Sequence, residues 1–256
     1  MASTSKKPDQ PVGLVTGGGR GIGLATACAW AHRGVAVAVV DRDSEGELAV
    51  ESVCKEEQVP SAFFTADVRD FDRAEKIVGQ VMSRFGRIDY LVANAGLSRD
   101  RVIWKMSEKE WDEVVEVNLK GSFNYARAAA PRMREQGFGR IVFVSSINGL
   151  RGKFGQCNYA AAKAGLVGLA RSLALELGSS KVTVNVVAPG MVNTTMTASL
   201  PPAVLERARS EAVLDRTAEP EEVAQVIDFL CRSESRHITG VVLRVDGGQA
   251  LAAELG

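Results

Sequence analysis

Val12-Gly13-Leu14-Val15-Thr16-Gly17-Gly18-Gly19-Arg20-Gly21-Ile22-Gly23 decides how the chain is read: an apolar run, a cluster of glycines, then the opening of a helical pattern. Glycine has no Cβ, so the backbone can turn tightly, its N–H groups can approach a phosphate, and the helix can pack close to the strand. The positive end of the helix dipole then faces whatever sits above the turn. A glycine cluster alone also fits a merely flexible turn. Asp41 separates the two readings, because it ends the second apolar run, 18 residues beyond Gly23. A carboxylate there is placed to accept from the ribose hydroxyls of a dinucleotide. Gly17, Gly19, Arg20, Gly21, Ile22, Gly23 and Asp41 are therefore expected to hold such a ligand.

The same alternation continues along the chain. Short runs rich in Val and Ile fall at residues 13–16, 35–40, 62–66, 88–93, 140–145, 182–187 and 241–245. Val35-Ala36-Val37-Ala38-Val39-Val40 is apolar at every position, as a strand covered on both faces of a parallel sheet requires. Helical periodicity fills residues 22–32, Phe71–Phe85, 108–133, 160–177 and 221–231. Strands and helices in alternation imply right-handed crossovers and an α/β fold, with a doubly wound, seven-stranded parallel sheet flanked by helices. No repeat or Pro/Gly/Ser-rich linker divides the chain, so residues 11–256 are expected to form one domain behind a disordered tail of residues 1–10. Residues 190–216 lack periodicity and contain Pro201-Pro202. An irregular insertion of this length reads as a functional lid, placed at 191–215.

With 256 residues the chain can fill one large core. Its 31 basic and 31 acidic residues cancel and are spread along the chain, which argues against nucleic acid or an anionic membrane as the main partner. Cys28, Cys54, Cys157 and Cys231 show no C-x-x-C spacing, and only His32 and His237 could add imidazole, so no metal site is expected. Reduced thiols, no apolar signal segment among the first ten residues and no membrane-length apolar run together point to a cytoplasmic protein.

Asp41 also bears on the choice of dinucleotide. A 2′-phosphate would bring up to about two negative charges beside its carboxylate, each costing about 4 kcal/mol at ~4 Å and an effective dielectric of 20. Arg20 and Arg42 would offset part of that, although Arg42 reads more simply as a solvated surface residue. NAD is thus preferred and NADP left open.

Tyr159 and Lys163 stand four apart among strong helix formers, hence on one helical face. A free phenol titrates near 10, too high for a base at neutral pH. One ammonium at ~4 Å supplies roughly the 4 kcal/mol needed to lower it by about three units, so Lys163 is expected to make Tyr159 a proton acceptor. Taken alone, a Tyr–Lys pair at this spacing is usually structural. Ser145 and Ser146 end the fifth apolar run at a carboxyl edge of the sheet, where ligands bind. Adjacent strand residues face opposite ways, so one of them is expected to aim a hydroxyl at the substrate oxygen.

In these residues the chain resembles the short-chain dehydrogenases/reductases. The resemblance runs from about Val12 to Gly248 and takes in residues 16–23, Asp67-Val68, Asn94-Ala95-Gly96, Asn118, Ser146, Tyr159, Lys163, Pro189-Gly190 with Thr194, and Asp246-Gly247-Gly248. Ser146 precedes Tyr159 by 13 residues, the family's usual interval, which selects it over Ser145. The resemblance implies a single-domain Rossmann fold and assigns roles. Tyr159 is the acid/base, Lys163 its pKa modifier and a ribose ligand, Ser146 the substrate donor, and Asn118 the holder of a relay water. Asp67 and Val68 contact adenine, Asn94, Ala95 and Gly96 line the cofactor, and Pro189, Gly190, Val192 and Thr194 border the nicotinamide. Asn94 and Asp67 could instead brace strand ends, and Asp246-Gly247-Gly248 shape a turn. Relatives also imply a homotetramer.

Within the family the pattern is similar to 3-oxoacyl-(acyl-carrier-protein) reductases, in Ser98-Arg99-Asp100, in residues 155–159 and in residues 184–190. Those proteins usually carry basic residues where this chain has Gly137-Phe138 and Ser179-Ser180, and commonly use NADPH. The leading expectation is therefore hydride exchange between NAD(H) and a small secondary alcohol or ketone. The alternatives are an NADPH-dependent 3-oxoacyl-(acyl-carrier-protein) reductase and a dinucleotide sensor without turnover. Residues 97–103, 147–157 and the lid are expected to line the substrate pocket, with Arg151 and Lys153 near its entrance.

Overall fold

The computed structural model describes residues 10–198 and 200–254. Residues 1–9 of the expected disordered tail lie outside the described residues; Gln10 is ordered and donates to the carbonyl of Gly34.

Seven strands form a single sheet: β1 (Val12–Thr16), β2 (Ala36–Asp41), β3 (Ser61–Thr65), β4 (Tyr90–Ala93), β5 (Gly139–Val144), β6 (Val182–Pro189) and β7 (Val242–Val245). Their order is 3-2-1-4-5-6-7 and every pairing is parallel. The chain builds outward from β1 to β3, then returns to build from β4 to β7, so the strand order reverses between β1 and β4. Loops diverge there at the carboxyl ends of the strands, which opens a crevice.

The apolar runs alternate between two cores. Ala36, Ala38 and Val40 join one face of the sheet; Val35, Val37 and Val39 join the other. The helices in chain order are α1 (Gly21–His32), α2 (Glu47–Glu56), α3 (Phe71–Phe85), α4 (Glu108–Val115), α5 (Gly121–Gln136), α6 (Asn148–Arg151), α7 (Cys157–Leu177), α8 (Thr195–Ala198), α9 (Pro202–Glu211), α10 (Pro220–Cys231) and α11 (Gln249–Glu254). Residues of α3, α5 and α7 fill the first core, and residues of α1, α2 and α10 the second. Among the described residues, no helix is long and apolar enough to cross a membrane.

Two sequence expectations are corrected. The helix expected over 108–133 is interrupted by a π-helical turn, Glu116–Lys120, between α4 and α5. A widened turn adds one residue without breaking the apolar stripe, and such turns often occur at functional sites. Residues 190–216, expected to be irregular, contain α8 and α9. Pro202 stands in the first turn of α9, where a missing N–H costs nothing.

Gly13 shows how tightly α1 lies on the sheet. A Cβ there would collide with the ring of Trp30, which is fully buried in the second core. Gly13→Ala is expected to destabilise the fold by about 1–3 kcal/mol through overpacking, read as a lower urea midpoint with an unchanged slope.

Candidate active site

The glycine turn follows from its own backbone. Gly17 has φ +63°, a left-handed conformation that favours glycine, and its N–H donates to the carbonyl of Val40 at 2.7 Å. A Cβ at Gly23 would strike the carbonyl oxygen of Gly17, so the first turn of α1 can sit this close only without a side chain. No side chain caps α1 and its first turn carries no acid, which leaves the helix N-terminus free to meet an anion. Asn94 locks the turn from β4: its Nδ2 donates to the carbonyls of Thr16 (3.1 Å) and Gly17 (2.9 Å), and the N–H groups of Asn94 and Ala95 both donate to the Thr16 hydroxyl. Thr194 faces the turn from the lid, since a Cβ on Gly21 would lie 3.2 Å from its methyl group.

Asp41 is buried, accepts the Gly19 N–H at 2.9 Å, and lies in a recess with Arg20, Asp43 and Glu45. Arg20 and Arg42 each reach Asp43 at 3.6 Å, with both guanidiniums more than half exposed. The recess thus holds three carboxylates and one guanidinium. Asp67, by contrast, turns onto its own loop, where Arg69 grips it at 2.6 Å and holds its carboxyl below the usual range. Val68 packs against the start of α5, because a Cβ on Gly121 would meet it at 2.6 Å.

Tyr159, in the first turn of α7, and Lys163, one turn on, meet Ser146 at the end of β5. The Ser146 hydroxyl lies near the phenol and draws its pKa down. The ammonium of Lys163 is buried, lies 5.7 Å from the Tyr159 ring centre and donates to the carbonyl of Val144 at 2.8 Å. Ser145 points elsewhere and donates to the Lys163 carbonyl. Gly96 closes the cluster, for a Cβ there would lie 2.5 Å from Asn118 Oδ1 and 3.2 Å from Lys163 Nζ. Asn118 belongs to the π turn, and its Nδ2 donates to the carbonyls of Leu97 and Val114, both at 2.8 Å.

Comparison with known proteins adds to this geometry. A family model described as enoyl-(acyl carrier protein) reductase matches residues 17–250. A 3-oxoacyl-(acyl-carrier-protein) reductase of Thermotoga maritima is 44% identical over 92% of this chain and 96% of its own length. An acetoacetyl-CoA reductase of Allochromatium vinosum is 42% identical over 93% of this chain and 97% of its own. The solved structure of a levodione reductase superposes with a TM-score of 0.91 at 35% identity, covering 94% of this chain and 98% of the other. The chain belongs to the short-chain dehydrogenase/reductase family. It is accordingly an oxidoreductase that works with a nicotinamide dinucleotide on CH–OH or keto groups.

The expected effect of Lys163 on this family's tyrosine is corrected. Burial pushes the Tyr159 phenol up to about 12; the nearby Ser146 hydroxyl pulls it down and the nearby charge of Asp100 pushes it up. Burial also lowers Lys163, to about 8. Desolvation of the phenolate outweighs an ammonium that is aimed at a backbone carbonyl. Tyr159 is therefore protonated at neutral pH in this arrangement. Arg151, expected near the pocket entrance, is paired with Glu211 at 3.0 Å.

Three polar residues beside Ser146 were not singled out from sequence. Asn148 donates its N–H to the Ser146 hydroxyl at 3.2 Å and its Nδ2 to Gln156 Oε1 at 3.1 Å. Gln156 is buried and donates to Asp100 at 2.8 Å, and Asp100 accepts from the Ser98 hydroxyl. Gln156 and Asp100 lie within segments that carry the family resemblance, but only folding brings them together. Pro189 ends β6, Gly190 donates to the Val245 carbonyl, and Val192 pairs with Ala218. Asp246 accepts the N–H groups of Gly248 and Ala250, which makes residues 246–248 a capped turn.

Burial also raises Tyr90 and Tyr125, the other two phenols. Spectrophotometric titration of the folded protein is expected to show no tyrosinate below about pH 10, and tyrosinate absorbance near neutral pH would contradict the burial argument.

Proposed function

We propose that this chain reduces ketones to secondary alcohols with NADH, with Tyr159 as proton donor, Ser146 as the donor that orients the substrate oxygen, and Lys163 and Asn118 as supports of the cofactor side. One observation carries the reading: a phenol kept protonated by desolvation lies near Ser146, with a buried ammonium 5.7 Å from its ring centre, beside a glycine turn fit for a dinucleotide.

The residues present suit such a cofactor. The uncapped start of α1 and the N–H groups of the Gly17–Gly23 turn would hold the pyrophosphate, Asp41 the ribose hydroxyls, and Ala95, Gly96 and Lys163 the nicotinamide half, with Pro189, Gly190, Val192 and Thr194 over it. Bound, the dinucleotide supplies the hydride. Tyr159 gives its proton to the ketone oxygen as charge gathers there, and the Ser146 hydroxyl stabilises that oxygen with a second hydrogen bond. Lys163, aimed between the Val144 carbonyl and the Gly96 side of the cluster, carries a positive charge that eases the charge left on the phenol.

The recess around Asp41 supports NAD over NADP, since its three carboxylates outnumber the two guanidiniums, Arg20 and Arg42, that pair with Asp43, and Asp41 itself is buried. For the substrate, the names of relatives as 3-oxoacyl-(acyl-carrier-protein) and acetoacetyl-CoA reductases favour 3-oxoacyl thioesters over unconjugated ketones. Free secondary alcohols and ketones remain the second reading, favoured by Gly137-Phe138 and Ser179-Ser180 where carrier-protein reductases usually have basic residues.

Tyr159→Phe is expected to lower turnover by about 10²–10⁴-fold while NADH still binds; steady-state rates and NADH fluorescence titration check both halves. In kcat/KM, NADH is expected to exceed NADPH by about tenfold or more, and Asp41→Ala to narrow the gap. Lys163 loses its proton as the pH rises through about 8, so kcat/KM for reduction is expected to fall above that pH. A profile flat through alkaline pH would remove the Lys163 charge from the reaction.

A further inference from the structure

The lid over this site rests on little apolar contact. Of the ten residues of α9, only Ala208 is buried. Ala208 faces an open pocket of about 200 Å³ that is also bordered by Met191, Leu214, Arg216, Glu222 and Gln249. Polar contacts hold the helix instead. Glu211, the last residue of α9, accepts from Arg151 Nη2 at 3.0 Å and from Gln249 Nε2 at 3.2 Å. Arg151 Nη1 also donates to the Gln249 backbone carbonyl at 3.2 Å. Gln249 is buried, and its Oε1 accepts the N–H of Met191, the first residue of the lid, at 3.1 Å. One cluster therefore pins both ends of the lid.

The cluster continues to the reacting hydroxyls. Arg151 ends α6, the helix that begins two residues after Ser146, and its Nε approaches Asn148 Oδ1 at 3.4 Å. Asn148 in turn donates to the Ser146 hydroxyl. Arg151 and Glu211 are largely shielded, with side chains 20% and 29% exposed, so their attraction is screened far less than that of a surface pair. Glu211 also pairs with Arg207, but that residue lies on α9 itself with its side chain 82% exposed and bridges nothing.

We propose that Arg151 is a positioning residue: it ties the lid helix to the segment carrying Ser146 and thereby sets how the lid stands over the substrate site. This rests on the reductase reading given above. Glu211 bonds Arg151 and Gln249 and not Ser146, Tyr159 or Lys163, so loss of the tie loosens substrate binding and leaves the chemical step largely intact. The dinucleotide turn has its own anchor in Asn94, and only Thr194 of the lid borders it.

The test compares Arg151→Gln, Glu211→Gln, the double variant, Arg151→Lys and the control Arg207→Gln. Two readouts are used: KM and kcat for acetoacetyl-CoA with NADH, and amide hydrogen exchange over residues 202–211 in the full chain. Arg151→Gln and Glu211→Gln are each expected to raise KM for acetoacetyl-CoA and to speed lid exchange by about tenfold, with kcat within about twofold and a smaller change in NADH affinity. The double variant is expected to be no worse than either single one, Arg151→Lys to recover part of the loss, and Arg207→Gln to match the wild type. Unchanged KM and lid exchange in Arg151→Gln would overturn the proposal, as would an equal effect from Arg207→Gln. If the wild type fails to reduce acetoacetyl-CoA, the thioester reading fails, and lid exchange alone decides the tie: acceleration in Arg151→Gln and Glu211→Gln supports it, and no change overturns it.

Discussion

The contact between Asn94 and the glycine turn governs how the rest of this molecule is laid out. Its carboxamide donates across the β1–β4 boundary to the carbonyls of Thr16 and Gly17. That boundary is where strand order reverses, so loops on its two sides part company, and Asn94 ties the turn after β1 to the end of β4. With the turn fixed, α1 begins directly against it, Asp41 receives the Gly19 N–H, and the positive end of a helix faces the same space as a buried carboxylate. An anion is welcome at one end of the groove and resisted at the other. That polarity is what a dinucleotide with a free ribose edge requires.

Across the crevice, burial does the electrostatic work. Lys163 is buried and Tyr159 half-buried, and each shifts toward its neutral form, the phenol upward and the ammonium downward. The two shifts share one cause, the cost of a charge with little solvent around it. A simple pairing of opposite charges would have moved the phenol the other way. In the present geometry the lysine spends its proton on the Val144 carbonyl, and the tyrosine hydroxyl lies near that of Ser146. Such an arrangement is built to deliver a proton to an oxygen, which accords with the reductase names of similar proteins.

The parts of the site legible from the chain are those whose partners are near in sequence or repeated by period. Asp41 was found because it ends a buried strand at a set distance from Gly23; Tyr159 and Lys163, because four residues make one helical turn. Helix α2 was missed, since no side chain caps its start and only Val50 and Cys54 are fully buried. The π turn at Glu116–Lys120 was missed for another reason: its extra residue leaves the apolar spacing readable as one continuous helix. Gln156, Glu211 and Gln249 carried no periodic signal, and their partners lie between 38 and 60 residues away.

Local and periodic forces therefore settled the strands, most of the long helices, the glycine turn and the residues poised at the sheet's carboxyl edge, because burial on two faces and one helical turn both leave marks in neighbouring positions. Only the folded molecule decided which charges are already taken and which way the tyrosine's proton leans. Those outcomes depend on desolvation and on hydrogen bonds between segments remote in the chain, and neither quantity exists until the sheet brings the segments together.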